Sequence, residues 1–144
     1  MTSRLVLQAE AVERASDDQL GDLRARQPDA DWVVKLVDVR PDGVAINLAS
    51  GILRGRYRNS LLKPELMKPG EVYEITVDLG PCAATIAKGH EFRVDICGAL
   101  FPLYDRNPNT PEGIFGSKTA IANEQVHHKP GALSRLILPV LSAR

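Results

Sequence analysis

Trp32-Val33-Val34-Lys35-Leu36-Val37-Asp38-Val39, followed at once by Arg40-Pro41-Asp42-Gly43, reads as a strand entering a hairpin turn. Trp32, Val34 and Leu36 point to one side and Val33, Lys35 and Val37 to the other, the period-two pattern of extended chain. Pro41 presets one turn position and Gly43 tolerates positive φ, so the chain reverses there for a physical reason. Val44 to Leu48 then continues as the partner strand.

The same period carries outward. Gly51 to Arg58 alternates Ile52, Arg54, Arg56 and Arg58 against Leu53, Gly55 and Tyr57. Two prolines interrupt Lys63 to Gly70. Val72 to Leu79 sets Tyr73, Ile75, Val77 and Leu79 against Val72, Glu74, Thr76 and Asp78, giving one apolar face and one mostly polar face. Ala84 to Ala87 reads as a weak strand, Lys88-Gly89-His90 as a turn, and Phe92, Val94 and Ile96 as one face of another strand. The Pro, Asn and Gly content of residues 102–118 opposes a regular element. Thr119 to His127 and Leu133 to Val140 read as closing strands around His128-Lys129-Pro130-Gly131. About eight short strands with turn signals between them predict an all-β sandwich, not βαβ units.

The first 27 residues differ in character. Arg4 to Gln8 reads either as a short strand or as part of a helical or irregular segment. Glu10 to Gln27 leans helical: Ala9, Val12, Leu20 and Leu23 fall loosely on helical spacing, and Ser16 resembles an N-cap. The expected organisation is a divergent N-terminal segment, 1–27, and a β-domain, 28–144.

At 144 residues the chain can bury a core without a metal or disulfide staple. Eighteen Lys and Arg balance eighteen Asp and Glu, so no bulk attraction to nucleic acid or an anionic membrane arises; no nucleic-acid partner and no membrane partner are expected. No apolar run approaches the roughly 18–20 residues of a membrane span. The N-terminus does not read as a secretory signal, and a cytoplasmic location is expected. Cys82 and Cys97 are the only cysteines; they either pair or stand as free thiols, and a reducing compartment favours the second.

Signals of chemistry are few. No G-x-S-x-G elbow exists, and Gly113-Ile114-Phe115-Gly116-Ser117 has the wrong spacing. Ser60, Ser117 and Ser134 sit near turns, where a hydroxyl serves local hydrogen bonds. His127 and His128 are adjacent, so on a strand they face opposite sides, and no metal-ligand spacing appears. No cofactor motif is present: Gly51 to Arg56 lacks the lysine of a phosphate loop. Arg54, Arg56 and Arg58 share one face of an alternating segment. They form either a patch toward another domain or a carboxylate, or a surface held by nearby Asp or Glu. Asp38, Asp78, Asp95 and Asp105 could form a carboxylate pair only if folding brought two of them together.

Three collinear blocks carry a resemblance. The first is Asp31 to Val39 with Pro41-Asp42-Gly43, running into Gly51-Ile52-Leu53-Arg54-Gly55-Arg56-Tyr57-Arg58. The second runs from Pro69-Gly70-Glu71-Val72-Tyr73-Glu74-Ile75 through Lys88-Gly89-His90 to Phe101-Pro102-Leu103-Tyr104-Asp105-Arg106-Asn107-Pro108-Asn109-Thr110. The third is His127-His128 followed by Ser134-Arg135-Leu136-Ile137-Leu138-Pro139-Val140. Over these blocks, about four fifths of its length, the chain resembles the C-terminal domain of the X-Pro dipeptidyl-peptidase and cocaine-esterase family of serine hydrolases. That family includes α-amino acid ester hydrolases and glutaryl-acylase-like enzymes.

The resemblance implies a jelly-roll β-sandwich of the galactose-binding-like type. It implies a non-catalytic role, packing against an α/β-hydrolase domain that carries the Ser-Asp-His triad for ester, amide or X-Pro peptide hydrolysis. No triad residue carries over. Two departures follow. Residues 1–27 do not match, so a truncated or replaced terminus lacking opening strands is expected, and a bare sheet edge would invite a homo-oligomer. Cys97-Gly98-Ala99-Leu100 stands where relatives carry small polar residues.

His90, Asp105, Arg106, Asn107 and Asn109 are expected to form structural polar loops, with Asp105 and Arg106 paired or bonding backbone as a cross-brace. The alternative use of the fold is a free-standing carbohydrate- or small-ligand-binding module, against which stands the placing of Trp32 and Tyr57 within strand patterns.

Overall fold

The computed structural model describes residues 3–11, 28–68 and 70–141. The described strands, in order, are β1 (Arg4–Ala11), β2 (Asp31–Val39), β3 (Ala45–Arg54), β4 (Tyr73–Asp78), β5 (Glu91–Cys97), β6 (Glu124–Val126), β7 (His128–Lys129), β8 (Ala132–Leu133) and β9 (Arg135–Ile137). Two 3-10 turns, Gly55–Tyr57 and Gly113–Phe115, interrupt the loops. Of the helical reading of Glu10 to Gln27, Glu10 and Ala11 belong to strand β1 instead, and the rest, with its cap at Ser16, lies outside the described residues.

One sheet has the order β3-β2-β5, antiparallel throughout. In the other, β4 pairs with one edge of β1, while β6 and β9 pair with the other. The two sheets bury Trp32, Val34 and Leu36 of β2 against Ile75 and Val77 of β4, with Ala30, Ala49, Met67 and Leu79 completing the cluster. This is an all-β sandwich. Trp32 is fully buried, which places it in the core and removes it as an exposed sugar platform.

The pattern that decided the fold survives in detail. Arg40 N–H donates to Val44 O and Gly43 N–H to Arg40 O, both at 2.9 Å, closing the β2–β3 hairpin. On β4, Ile75 and Val77 are buried while Glu74, Thr76 and Asp78 are exposed. The turn at Lys88-Gly89 closes with His90 N–H on Ala87 O at 3.1 Å.

Other boundaries moved. Residues 45–54 form one strand where the sequence suggested two pieces; a register shift opposite Leu36 and Val37 absorbs the irregularity as a bulge. Gly51 is not a break in this strand. A Cβ there would run into the main-chain oxygen of Asp78, so glycine is what lets β3 approach β4. Ala84 to Ala87 is not a strand: three of its four residues are exposed, and among the described residues no ladder partner faces it. The two closing strands are shorter than expected. β6 and β9 act as one interrupted strand along β1, with the small β7–β8 hairpin looped out between them. Ser134 closes its neck, with N–H and Oγ both donating to His127 O at 3.3 and 2.9 Å.

Arg4–Ala11 takes the strand alternative. Its register runs from Arg4 opposite Asp78 to Ala9 opposite Tyr73 on the β4 side. The N-terminal segment, expected to lack opening strands, therefore supplies one, lying between β4 and the β6/β9 edge. Among the described residues no helix is long and apolar enough to cross a membrane.

Candidate functional site

Asp29 and Asp31 stand at the start of β2, and both are buried. The β2–β3 ladder sets Asp31 opposite Arg54. Arg54 donates from Nε and Nη2 to the two carboxylate oxygens of Asp31, at 2.8 and 2.9 Å. Immediately after, the strand yields to the 3-10 turn, which brings Arg56 over Asp29. Arg56 donates its backbone N–H to one Asp29 oxygen at 2.8 Å and Nε to the other at 2.7 Å. Planar guanidinium groups suit such fork geometry, which a lysine could not reproduce. The hydrogen bonds to Asp31, aided by the charges of Asp31, Asp29 and Tyr57, raise the Arg54 pKa further, against the opposing effect of burial.

The same two arginines seize the loop that follows β5. Arg54 Nη2 donates to Asp105 O at 3.3 Å. Arg56 donates to Thr110 O at 2.6 Å and Pro111 O at 3.2 Å. Asn107 reaches back across 76 to 78 residues of sequence: its Nδ2 donates to Asp31 at 2.8 Å and to Asp29 at 3.0 Å. Its Oδ1 accepts the Asn109 N–H at 2.9 Å, and Asn109 Nδ2 donates to Ala120 O at 3.0 Å. Gly113 carries φ +63 and lies so close to the Arg56 guanidinium that a Cβ would sit 2.8 Å from Nη1. Two carboxylates, two guanidiniums and one amide thus clasp a long loop to the end of the sandwich.

Arg58 turns elsewhere. It donates to Gly55 O and Glu65 O at 3.0 and 2.6 Å and lies 4.5 Å over the Tyr73 ring. The expected shared face of Arg54, Arg56 and Arg58 is broken by the 3-10 turn. Their side chains are only 20%, 11% and 9% exposed, so they present no cationic patch to solvent.

The polar-loop residues divide into two places. His90 Nδ1 lies 2.8 and 3.0 Å from the Asp38 carboxylate oxygens, tying its turn to the far end of β2. Seven residues of strand, roughly 23 Å, separate that contact from Asp31. Asn107 and Asn109 lie in the clasp. Asp105 joins it only through its carbonyl, and neither the Asp105 nor the Arg106 side chain makes the expected pair; both residues are exposed. The cross-brace is Asn107.

Sequence reading missed Asp29 and Asp31 as partners and missed Glu124. The signal for the aspartates was present: an Asp-x-Asp before one hairpin strand and an Arg-x-Arg ending the other. Glu124 lies beside Gly98 and close to Asp31; burial, then the Asp31 charge, pushes its carboxyl up to about 7. The other acidic residues do not form a pair for acid–base chemistry. Asp38 meets His90, Asp95 meets Arg93 at 2.8 Å, and Asp78 accepts the Gly80 N–H. Among the described residues no cluster of His, Cys, Asp and Glu is arranged to hold a metal, and Cys82 and Cys97 are free thiols.

Residues 21–137 match the family described as the X-Pro dipeptidyl-peptidase C-terminal non-catalytic domain. The chain is 38% identical over 117 residues to a cocaine esterase of Rhodococcus sp. (strain MB1 Bresler), covering 78% of this chain and 20% of that protein. Among solved structures, an α-amino acid ester hydrolase labelled with selenomethionine superposes with a TM-score of 0.78 at 30% identity, covering 94% of this chain and 22% of the other. An aminopeptidase from the marine sediment archaeon Thaumarchaeota archaeon gives a TM-score of 0.78 at 28% identity, with the same coverage. The chain spans about one fifth of the length of these relatives.

Proposed function

Since the chain belongs to the X-Pro dipeptidyl-peptidase C-terminal non-catalytic domain family, we propose that it acts by docking, as a jelly-roll accessory domain, onto an α/β-hydrolase domain that cleaves esters, amides or X-Pro peptides. The observation that carries this reading is the ratio of lengths. Relatives whose names describe an esterase, an ester hydrolase and an aminopeptidase are about five times longer than the segment they share with this chain.

The site supports the same reading. The most concentrated group of polar side chains, Asp29, Asp31, Arg54, Arg56 and Asn107, spends its hydrogen bonds internally, on fixing a loop. Such an arrangement shapes a surface and offers no free nucleophile or base to a substrate. The free thiols of Cys82 and Cys97 accord with a reducing, cytoplasmic setting. Pairing of a second copy along the outer edge of β5 is the competing mode of association.

The test is an assay of the pure chain on p-nitrophenyl esters and X-Pro p-nitroanilides, with and without a serine-directed inhibitor. No inhibitor-sensitive turnover is expected. Turnover that the inhibitor abolishes overturns the non-catalytic role.

A further inference from the structure

Two loops leave the arginine set and carry an unusual share of exposed apolar side chains. The first holds Leu61 and Leu62, 80% and 91% exposed, and is pinned by Glu65 N–H on Arg56 O and by Arg58 on Glu65 O. The second, held by Arg54, Arg56 and Asn107, carries Phe101, Leu103 and Phe115, 68%, 65% and 93% exposed. Scattered exposed leucines need no explanation, but large apolar groups on two loops anchored to one set of residues mark an interaction surface. Asp105 and Arg106 lie on the same loop as an exposed acid and base whose side chains meet no internal partner among the described residues.

We propose that this loop surface, centred on Phe101, Leu103 and Phe115 with Leu61 and Leu62 beside it and Asp105 and Arg106 as its polar contacts, is the face that seats the α/β-hydrolase domain. The inference rests on the docking function proposed above and assigns it a location. A hydrolase domain is the fitting occupant because the matched relatives carry about four fifths of their length beyond this segment. That remainder must meet the shared domain somewhere; exposed apolar side chains also occur elsewhere, at Ile121, Val140 and Leu141 among others, but these loops are the ones held in place by the buried arginines. Five large side chains at these exposures offer several hundred Å² of apolar surface, a large part of the roughly 800 Å² that one partner contributes to a stable interface. The clasp then has a purpose: it removes the conformational freedom of the loops before binding, so that little ordering entropy is lost on docking.

The experiment measures binding of the full chain to the Rhodococcus cocaine esterase from which the matching 117 residues have been removed, in a preparation whose cooperative thermal melt shows that it is folded. Light scattering and calorimetry follow the wild type, the double variant Leu103→Glu/Phe115→Glu, and Phe92→Glu on β5, which faces Asp38 at the far end of β2. Wild type and Phe92→Glu are expected to bind alike, and the double variant at least tenfold more weakly. Undiminished binding by the double variant overturns the assigned face and leaves docking standing. No binding by wild type overturns docking itself, and the face with it. A wild-type homodimer that the double variant dissolves, without hydrolase binding, reassigns the face to a second copy and overturns the proposal. Hydrogen exchange of the wild type, which needs no variant to fold, is expected to show protection of residues 59–66 and 100–121 on adding the esterase portion; protection confined to other segments overturns the assignment.

Discussion

Arg54 faces Asp31 across the β2–β3 ladder and gives it two hydrogen bonds, at 2.8 and 2.9 Å, while the aspartate is almost wholly buried. Such a pair adds little over an apolar pair of the same shape, because both charges lose their water; breaking it is another matter. Arg54→Met leaves a buried carboxylate without its main partner and is expected to cost about 3 kcal/mol in urea unfolding. Adding Asp31→Asn should recover part of that loss. An Arg54→Met protein with wild-type stability would mean that the pair is not set as described.

Asn107 and Asp105 sit two residues apart on the same loop and should behave differently. The Asn107 amide satisfies both buried aspartates, so Asn107→Ala is expected to cost about 1–3 kcal/mol. Asp105 uses its carbonyl, which alanine also has, and Asp105→Ala should stay within about 0.5 kcal/mol of wild type. Thermal melts of the two variants decide it; the reverse order would restore Asp105 as the brace.

Gly51→Ala tests how the sheets meet. The added methyl has no room against the Asp78 carbonyl, and Val77 Cγ1 lies 3.2 Å from the same point. Backbone cannot rotate aside as a side chain can, so β3 and β4 must part. The expected loss is about 1–3 kcal/mol, with new exchange of the β4 amides. A neutral Gly51→Ala would show that the sheets yield there without strain.

These three sites show what sequence can and cannot carry. Strand β2, its hairpin and β4 were legible because period-two burial and turn chemistry are local properties of the chain. The Asp31–Arg54 pair lay one step further: once the hairpin at Pro41 to Gly43 is accepted, its register places Asp31 near Arg54, and only the bulge after Leu36 blurs the count. The Asn107 contacts were not legible, since a loop of Pro, Asn and Gly has no period from which to infer where it returns. Nor was the change at Gly55, where a 3-10 turn ends the strand alternation and sends Arg56 and Arg58 to different partners. The apolar loop residues read in sequence as ordinary loop positions, because exposure belongs to the fold and not to the string.

Glu124 makes stability fall as pH rises. Its folded-state pKa is about 7, raised first by burial and then by Asp31, against 4.5 as its ordinary value. Between those values the native state holds a proton that the unfolded chain has released, so each step up in pH favours unfolding. The group costs nothing below the lower value, and its full penalty, about 3 kcal/mol from the size of the shift, is reached above the upper one. Glu124→Gln keeps the shape and removes the titration. At pH 4 its stability should lie close to wild type; at pH 8 it should be higher by about 3 kcal/mol. Urea unfolding at the two pH values measures both differences, and a Gln variant that keeps the wild-type slope between them would assign the dependence to another group.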